Sequence, residues 1–114
     1  MIRKKLLSEV LGHEFDSFTY NKESSDIRIV VDNNYSPIYI NIYELAHKCK
    51  EWALNQDNCF SIVSGKVPNN YFCVVQYSFQ WLGKDGYEEY FTEDTEPEAI
   101  FKACQWILDN KDKA

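Results

Sequence analysis

The chain is poor in the residues that small enzymes and metal centres draw on. Its 114 residues include only two histidines, four glycines, three prolines and one methionine. The glycines (Gly12, Gly65, Gly83 and Gly86) are too scattered for a phosphate-cradling loop, and no Gly-x-Ser-x-Gly elbow occurs. No apolar run approaches the roughly 20 residues of a bilayer-spanning helix, which argues against a membrane partner through such an anchor. Cys49, Cys59, Cys73 and Cys104 form no CxxC pair, which excludes zinc ribbons and thioredoxin-like dithiols. A basic excess is missing as well. Twelve Lys and Arg face eighteen Asp and Glu, a net charge of −6, so no nucleic-acid partner is expected.

What is present suits one domain over residues 1–114. Hydrophobic residues make up 45% and charged residues 26%, near the globular average, so a packed core is affordable without disulfides. Each cysteine has apolar neighbours, as in Phe72-Cys73-Val74-Val75, and reads as a reduced core thiol. Met1-Ile2-Arg3-Lys4-Lys5-Leu6-Leu7 begins like a secretory leader, but Ser8 and Glu9 interrupt the apolar stretch. Together these imply a cytoplasmic protein.

Leu6, Leu7, Val10 and Leu11 recur at helical spacing before Gly12, predicting a helix over 2–11. Residues 13–26 are polar and read as a loop or weak strand. The runs 27–31 and 37–40 are β-branched or aromatic around the turn cluster 32–36, and predict a hairpin. Asn41 followed by Glu44 is a capping-box variant. Behind it Ile42, Leu45, Ala46, Cys49, Trp52 and Ala53 form one stripe, so a helix is expected to about residue 56. Strands are expected over 59–64, 71–81 and 87–92, joined by short Gly, Pro and Asn turns. On the middle strand Tyr71, Cys73, Val75 and Tyr77 share one face, while Phe72 and Val74 share the other with Gln76. This predicts one covered face and one partly covered face. Thr95-Glu96-Pro97-Glu98 then supplies a cap, a first-turn proline and a reciprocal carboxylate for a last helix. The expected fold class is α+β, an antiparallel β-meander flanked by helices in α-β-β-α-β-β-β-α order. A helix and hairpin occupy residues 1–40, and an α-β-β-β-α core occupies 41–110.

Constellations for chemistry are few. His13, Glu14 and Asp16 could ligate a metal, giving a small metal-dependent enzyme as one alternative, although their spacing matches no ligand pattern. His47 and Cys49, two apart on a helix, point to different faces and cannot act as a nucleophile and base. The basic trio Arg3-Lys4-Lys5 reads as a solvated helix face. No cofactor and no catalytic residue is assigned. The compositional anomaly is acidic. From Lys84 to Glu98, seven carboxylates face one lysine, a net −6 equal to that of the whole chain. Tyr87, Tyr90 and Phe91 are interleaved with them. One reading is an edge strand charged against aggregation, followed by a helix start where acids suit the dipole. The sharper reading is a surface of Tyr87, Glu88, Glu89, Tyr90, Glu93 and Asp94 that docks a protein partner with a basic surface. Aromatic residues number eighteen. Phe101 falls off the Ile100–Ile107 stripe, so a wide core stripe and a homodimer seamed by Trp106, Phe101 or Trp52 are both open.

Two resemblances add to this. The α-β-β-β-α order resembles the double-stranded RNA-binding domain, which binds through a lysine-rich start to its last helix. Glu96, Pro97 and Glu98 stand there in this chain, so only the topology is implied. Leu6-Leu7-Ser8-Glu9-Val10-Leu11-Gly12-His13 and Thr95-Glu96-Pro97-Glu98-Ala99-Ile100-Phe101-Lys102-Ala103 are similar to segments of the phage αβα-sandwich domain family of small phage and prophage proteins. That family has no established activity. The resemblance implies an architecture and an origin, and the combined expectation is a small acidic, non-enzymatic protein-interaction module.

Overall fold

The computed structural model describes residues 1–32, 36–57, 59–79 and 84–111, the side chains of residues 60, 78, 79 and 84–87 excepted. The elements run α1 (Lys4–Leu11), β1 (Ser17–Asn21), β2 (Asp26–Val30), β3 (Ile38–Asn41), α2 (Ile42–Leu54), β4 (Cys59–Lys66), β5 (Tyr71–Phe79), β6 (Lys84–Glu93) and α3 (Glu96–Asn110). They form two antiparallel three-stranded sheets, ordered β1-β2-β3 and β4-β5-β6, with helices packed on them. The fold is α+β, as the pattern predicts, with one strand more than expected.

That strand is β1. Its side chains are mostly exposed, so it has no burial signature, and pairing with β2 is what makes it a strand. Asn21 Oδ1 accepts from Glu23 N at 3.0 Å in the turn, and Ser25 adopts a positive φ of 59°. The expected hairpin is β2–β3, in register Ile27↔Ile40 and Ile29↔Ile38; part of its turn, residues 33–35, lies outside the described residues. Ile42 N donates to Ser25 O at 2.8 Å and anchors the start of α2 on the β1–β2 turn.

Local chemistry sets the helix limits. Gly12 closes α1 with φ 81°, a left-handed conformation that favours glycine, and its N–H donates to Ser8 O. Asn41 caps α2 by accepting from Tyr43 N at 2.9 Å. Thr95 caps α3 by accepting from Glu98 N at 3.3 Å, with Pro97 in the first turn. The buried residues of α2 are the six of the sequence stripe. The α3 stripe is wider and includes Phe101, only 3% exposed, so the wide core stripe is the arrangement found. Trp52 is likewise buried within the chain, and Trp106 is half-buried against the core. No helix of the described residues is long and apolar enough to cross a membrane.

Strand alternation sorts the second sheet. Cys73, Val75 and Tyr77 are buried toward the helices, while Phe72 and Val74 are half-buried and Gln76 is exposed on the other side. Both sheets and all three helices feed one core, to which the first sheet contributes Ile27, Ile29 and Ile40. Trp81, expected at the end of the middle strand, lies outside the described residues.

Candidate interaction surface on the second sheet

The register places the six acidic and aromatic residues singled out in the sequence. Glu88 lies opposite Gln76 and Tyr90 opposite Val74, so both belong to the outer face. Glu89 and Glu93 lie opposite Val75 and Tyr71, on the face that carries the helices, and Tyr87 is in register with Tyr77. Asp94 is exposed just beyond β6. The Tyr87 side chain lies outside the described residues. Neighbours in sequence are therefore divided between two surfaces, because successive strand residues point to opposite sides.

The acids also differ in their partners. Glu93 pairs with Lys102 of α3 at 3.2 Å. Glu98 pairs with the Met1 ammonium at 2.8 Å. Glu89 accepts a hydrogen bond from the Tyr77 hydroxyl at 3.2 Å. Glu88 accepts from Gln76 Nε2 at 2.9 Å, and Gln76 Oε1 accepts from Ser61 Oγ at 2.9 Å. This last chain crosses all three strands of the outer face.

Beside that polar row lies an apolar one that the acidic run did not reveal. Val63, Val74 and Tyr90 align across the sheet, with Val63 and Tyr90 each 55% exposed. Phe72 stacks on Tyr90 with ring centroids 5.8 Å apart and an interplanar angle of 11°. The next row holds Gly65, opposite Phe72, and the Phe72 ring leans over it. The legible signal for this surface was Phe72 and Val74 on the partly covered face of the middle strand.

The other candidates disperse. His13, Glu14 and Asp16 are exposed; His13 Nδ1 lies 3.2 Å from its neighbour's Glu14 O, while Lys4 Nζ donates to Asp16 O. Among the described residues no group of three His, Cys, Asp or Glu side chains is placed to hold a metal ion. His47 is exposed and pairs with Glu51 at 3.0 Å, whereas Cys49 is buried on the opposite side of α2. All four cysteines are free and buried. Burial pushes the Cys73 thiol up to about 12 and raises that of Cys59. Cys104 is raised well above its ordinary value, first by its hydrogen bond with Cys49 and then by burial. Raised values favour the protonated thiol at Cys59, Cys73 and Cys104, as suits side chains packed in a core.

Set against known proteins, the chain matches no family model, no curated protein and no solved structure.

Proposed function

We propose that this chain is a non-enzymatic protein-interaction module, of the phage or prophage type that its first and last helices resemble. It docks a partner with a basic, partly apolar surface through the outer face of β4–β5–β6. The observation that carries this reading is the stacked Phe72–Tyr90 pair with Val63 and Val74 beside it, open to solvent and bordered by Glu88. An ordered aromatic pair presents contact area without further loss of side-chain freedom on binding, and tyrosine is over-represented among residues that dominate interfaces. Among the described residues Glu88 has no cationic partner, and it gives the partner's positive charge a defined position. The four free thiols support a reducing, cytoplasmic setting.

The test compares proteins retained from host extract by the immobilised chain and by Tyr90→Ala, Glu88→Lys and, as a control on the far turn, Glu23→Lys. For the retained partner, Tyr90→Ala should weaken binding by about thirtyfold, the scale of a 2 kcal/mol hot spot. Glu88→Lys should weaken it less, and Glu23→Lys should leave it unchanged. Identical retention by all four proteins would discard the outer face as the docking surface.

A further inference from the structure

An open sheet edge invites pairing with another chain unless a charge, a proline or a bulge guards it. Of the four edge strands, β3 is entered through Pro37, and β4 carries Lys66 and is irregular between Cys59 and Ser61. β6 carries Glu88, Glu89 and Glu93. β1 has none of these guards. Ser17-Phe18-Thr19-Tyr20-Asn21 holds no charge and no proline, and its register with β2 is unbroken. Among the described residues, the backbone groups of 17–21 make no hydrogen bond outside the first sheet, so those turned away from β2 are unpaired within the chain.

The strand also reads the same from either end: polar, aromatic, threonine, aromatic, polar. An antiparallel copy set about a two-fold axis at Thr19 therefore meets its like at every step. Thr19 faces Thr19 of the second copy, Phe18 faces its Tyr20, and Ser17 faces its Asn21. Threonine pairs and aromatic pairs are among the cross-strand combinations that stabilise a sheet. Phe18 and Tyr20 lie opposite Ile29 and Ile27, on the face that looks to the core. Phe18 is nevertheless only half-buried and Tyr20 is 37% exposed, as befits aromatic side chains at an uncovered edge.

The flanking charges favour the same register. Asp16, fixed at the strand end by donating its N–H to Val30 O at 2.8 Å, comes opposite Lys22 of the second copy. Neither the Asp16 carboxylate nor the Lys22 ammonium has an ion partner among the described residues. Glu23 of the second copy falls beside Phe15, over whose ring Lys4 Nζ stands 5.6 Å from the centroid. A two-fold axis makes each of these contacts twice. We propose that two copies of this chain pair edge to edge through β1, antiparallel about Thr19, joining their first sheets into one. The contact shares no residue with the outer face of β4–β5–β6, so the two surfaces stand or fall separately.

The test is sedimentation velocity of the full chain from about 1 μM to about 1 mM, a span that covers the weak affinities of small interfaces. A species of twice the 13.5 kDa chain mass is expected, with amide exchange at residues 17–21 slowing as it forms. Lys22→Glu sets a carboxylate against Asp16 and should weaken the dimer at least about tenfold. Asp16→Lys should do the same, and the double variant, which reverses the pair, should recover the dimer. Both sites are exposed, so the circular dichroism of each variant should match that of the parent. Tyr90→Ala, on the second sheet, should leave the dimer intact. A monomer throughout the range would overturn the proposal. So would a dimer that survives both single substitutions, one that the double variant fails to recover, or one that Tyr90→Ala abolishes.

Discussion

Replacing Gly65 with alanine tests how open the outer face of the second sheet is. A Cβ at this position would meet Phe72 Cε1 at 3.0 Å and Cζ at 3.1 Å, closer than ordinary van der Waals contact. The backbone itself is ordinary for an L-residue, so any strain comes from the ring. Two effects oppose each other. Alanine relieves the entropic penalty of glycine in a strand, by about 0.5–1 kcal/mol. Moving the ring by a few tenths of an ångström disturbs its stack on Tyr90, an arrangement worth about 0.5–1.5 kcal/mol. Because Phe72 is half-buried on an open face, its ring can lift away instead of compressing against a neighbour. The net change should therefore stay within about 1 kcal/mol, measured by urea denaturation with an unchanged slope. Nuclear Overhauser contacts between the Phe72 and Tyr90 rings should weaken at the same time. A loss of about 3 kcal/mol, the scale of overpacking a closed core, would mean the ring is pinned from outside. The face would then not be available to a partner.

Two further outcomes follow from the core and from a cap. Cys73 has its folded pKa raised from an ordinary value of 9.0 to about 12, chiefly by burial, so its contribution to stability is complete below pH 9 and is lost as pH rises toward 12. Alkaline unfolding followed by circular dichroism should show stability falling by up to about 1.4 kcal/mol per pH unit for this thiol, a component that Cys73→Ala removes; identical slopes in the two proteins would refute it. Thr95→Ala deletes the acceptor of the Glu98 N–H and should destabilise the chain by about 1 kcal/mol, seen as a melting temperature lower by a few degrees, whereas an unchanged transition would show the cap to be dispensable.

Much of the fold was legible where a residue's fate depends on near neighbours in the chain. The α2 stripe, the Asn41 and Thr95 caps and the Gly12 stop are local, and each stands where its spacing placed it. β1 was not legible, because only pairing with β2 distinguishes Ser17–Asn21 from a polar loop. Phe101 shows the same limit from the other side. Its place off the narrow stripe is real, yet α3 is contacted by both β6 and the segment around Ile2, so a wider sector of the helix is buried.

The acidic run itself was legible, but its meaning depended on register. Read along the chain it is one block of charge; folded, it serves four different purposes. Glu98 sits in the first turn of α3 and answers the Met1 ammonium, where a carboxylate also suits the helix dipole. Glu93 answers Lys102, an exposed pair of small energetic weight. Glu89 holds the hydroxyl of buried Tyr77. Glu88, on the outer face, accepts from the neutral amide of Gln76 and has no cationic partner among the described residues. Charge alone is therefore too divided to specify recognition on the outer face. What distinguishes that surface is the apolar row of Val63, Val74 and Tyr90 with Phe72 stacked beside it, and on the proposed reading Glu88 would orient a partner that these side chains hold.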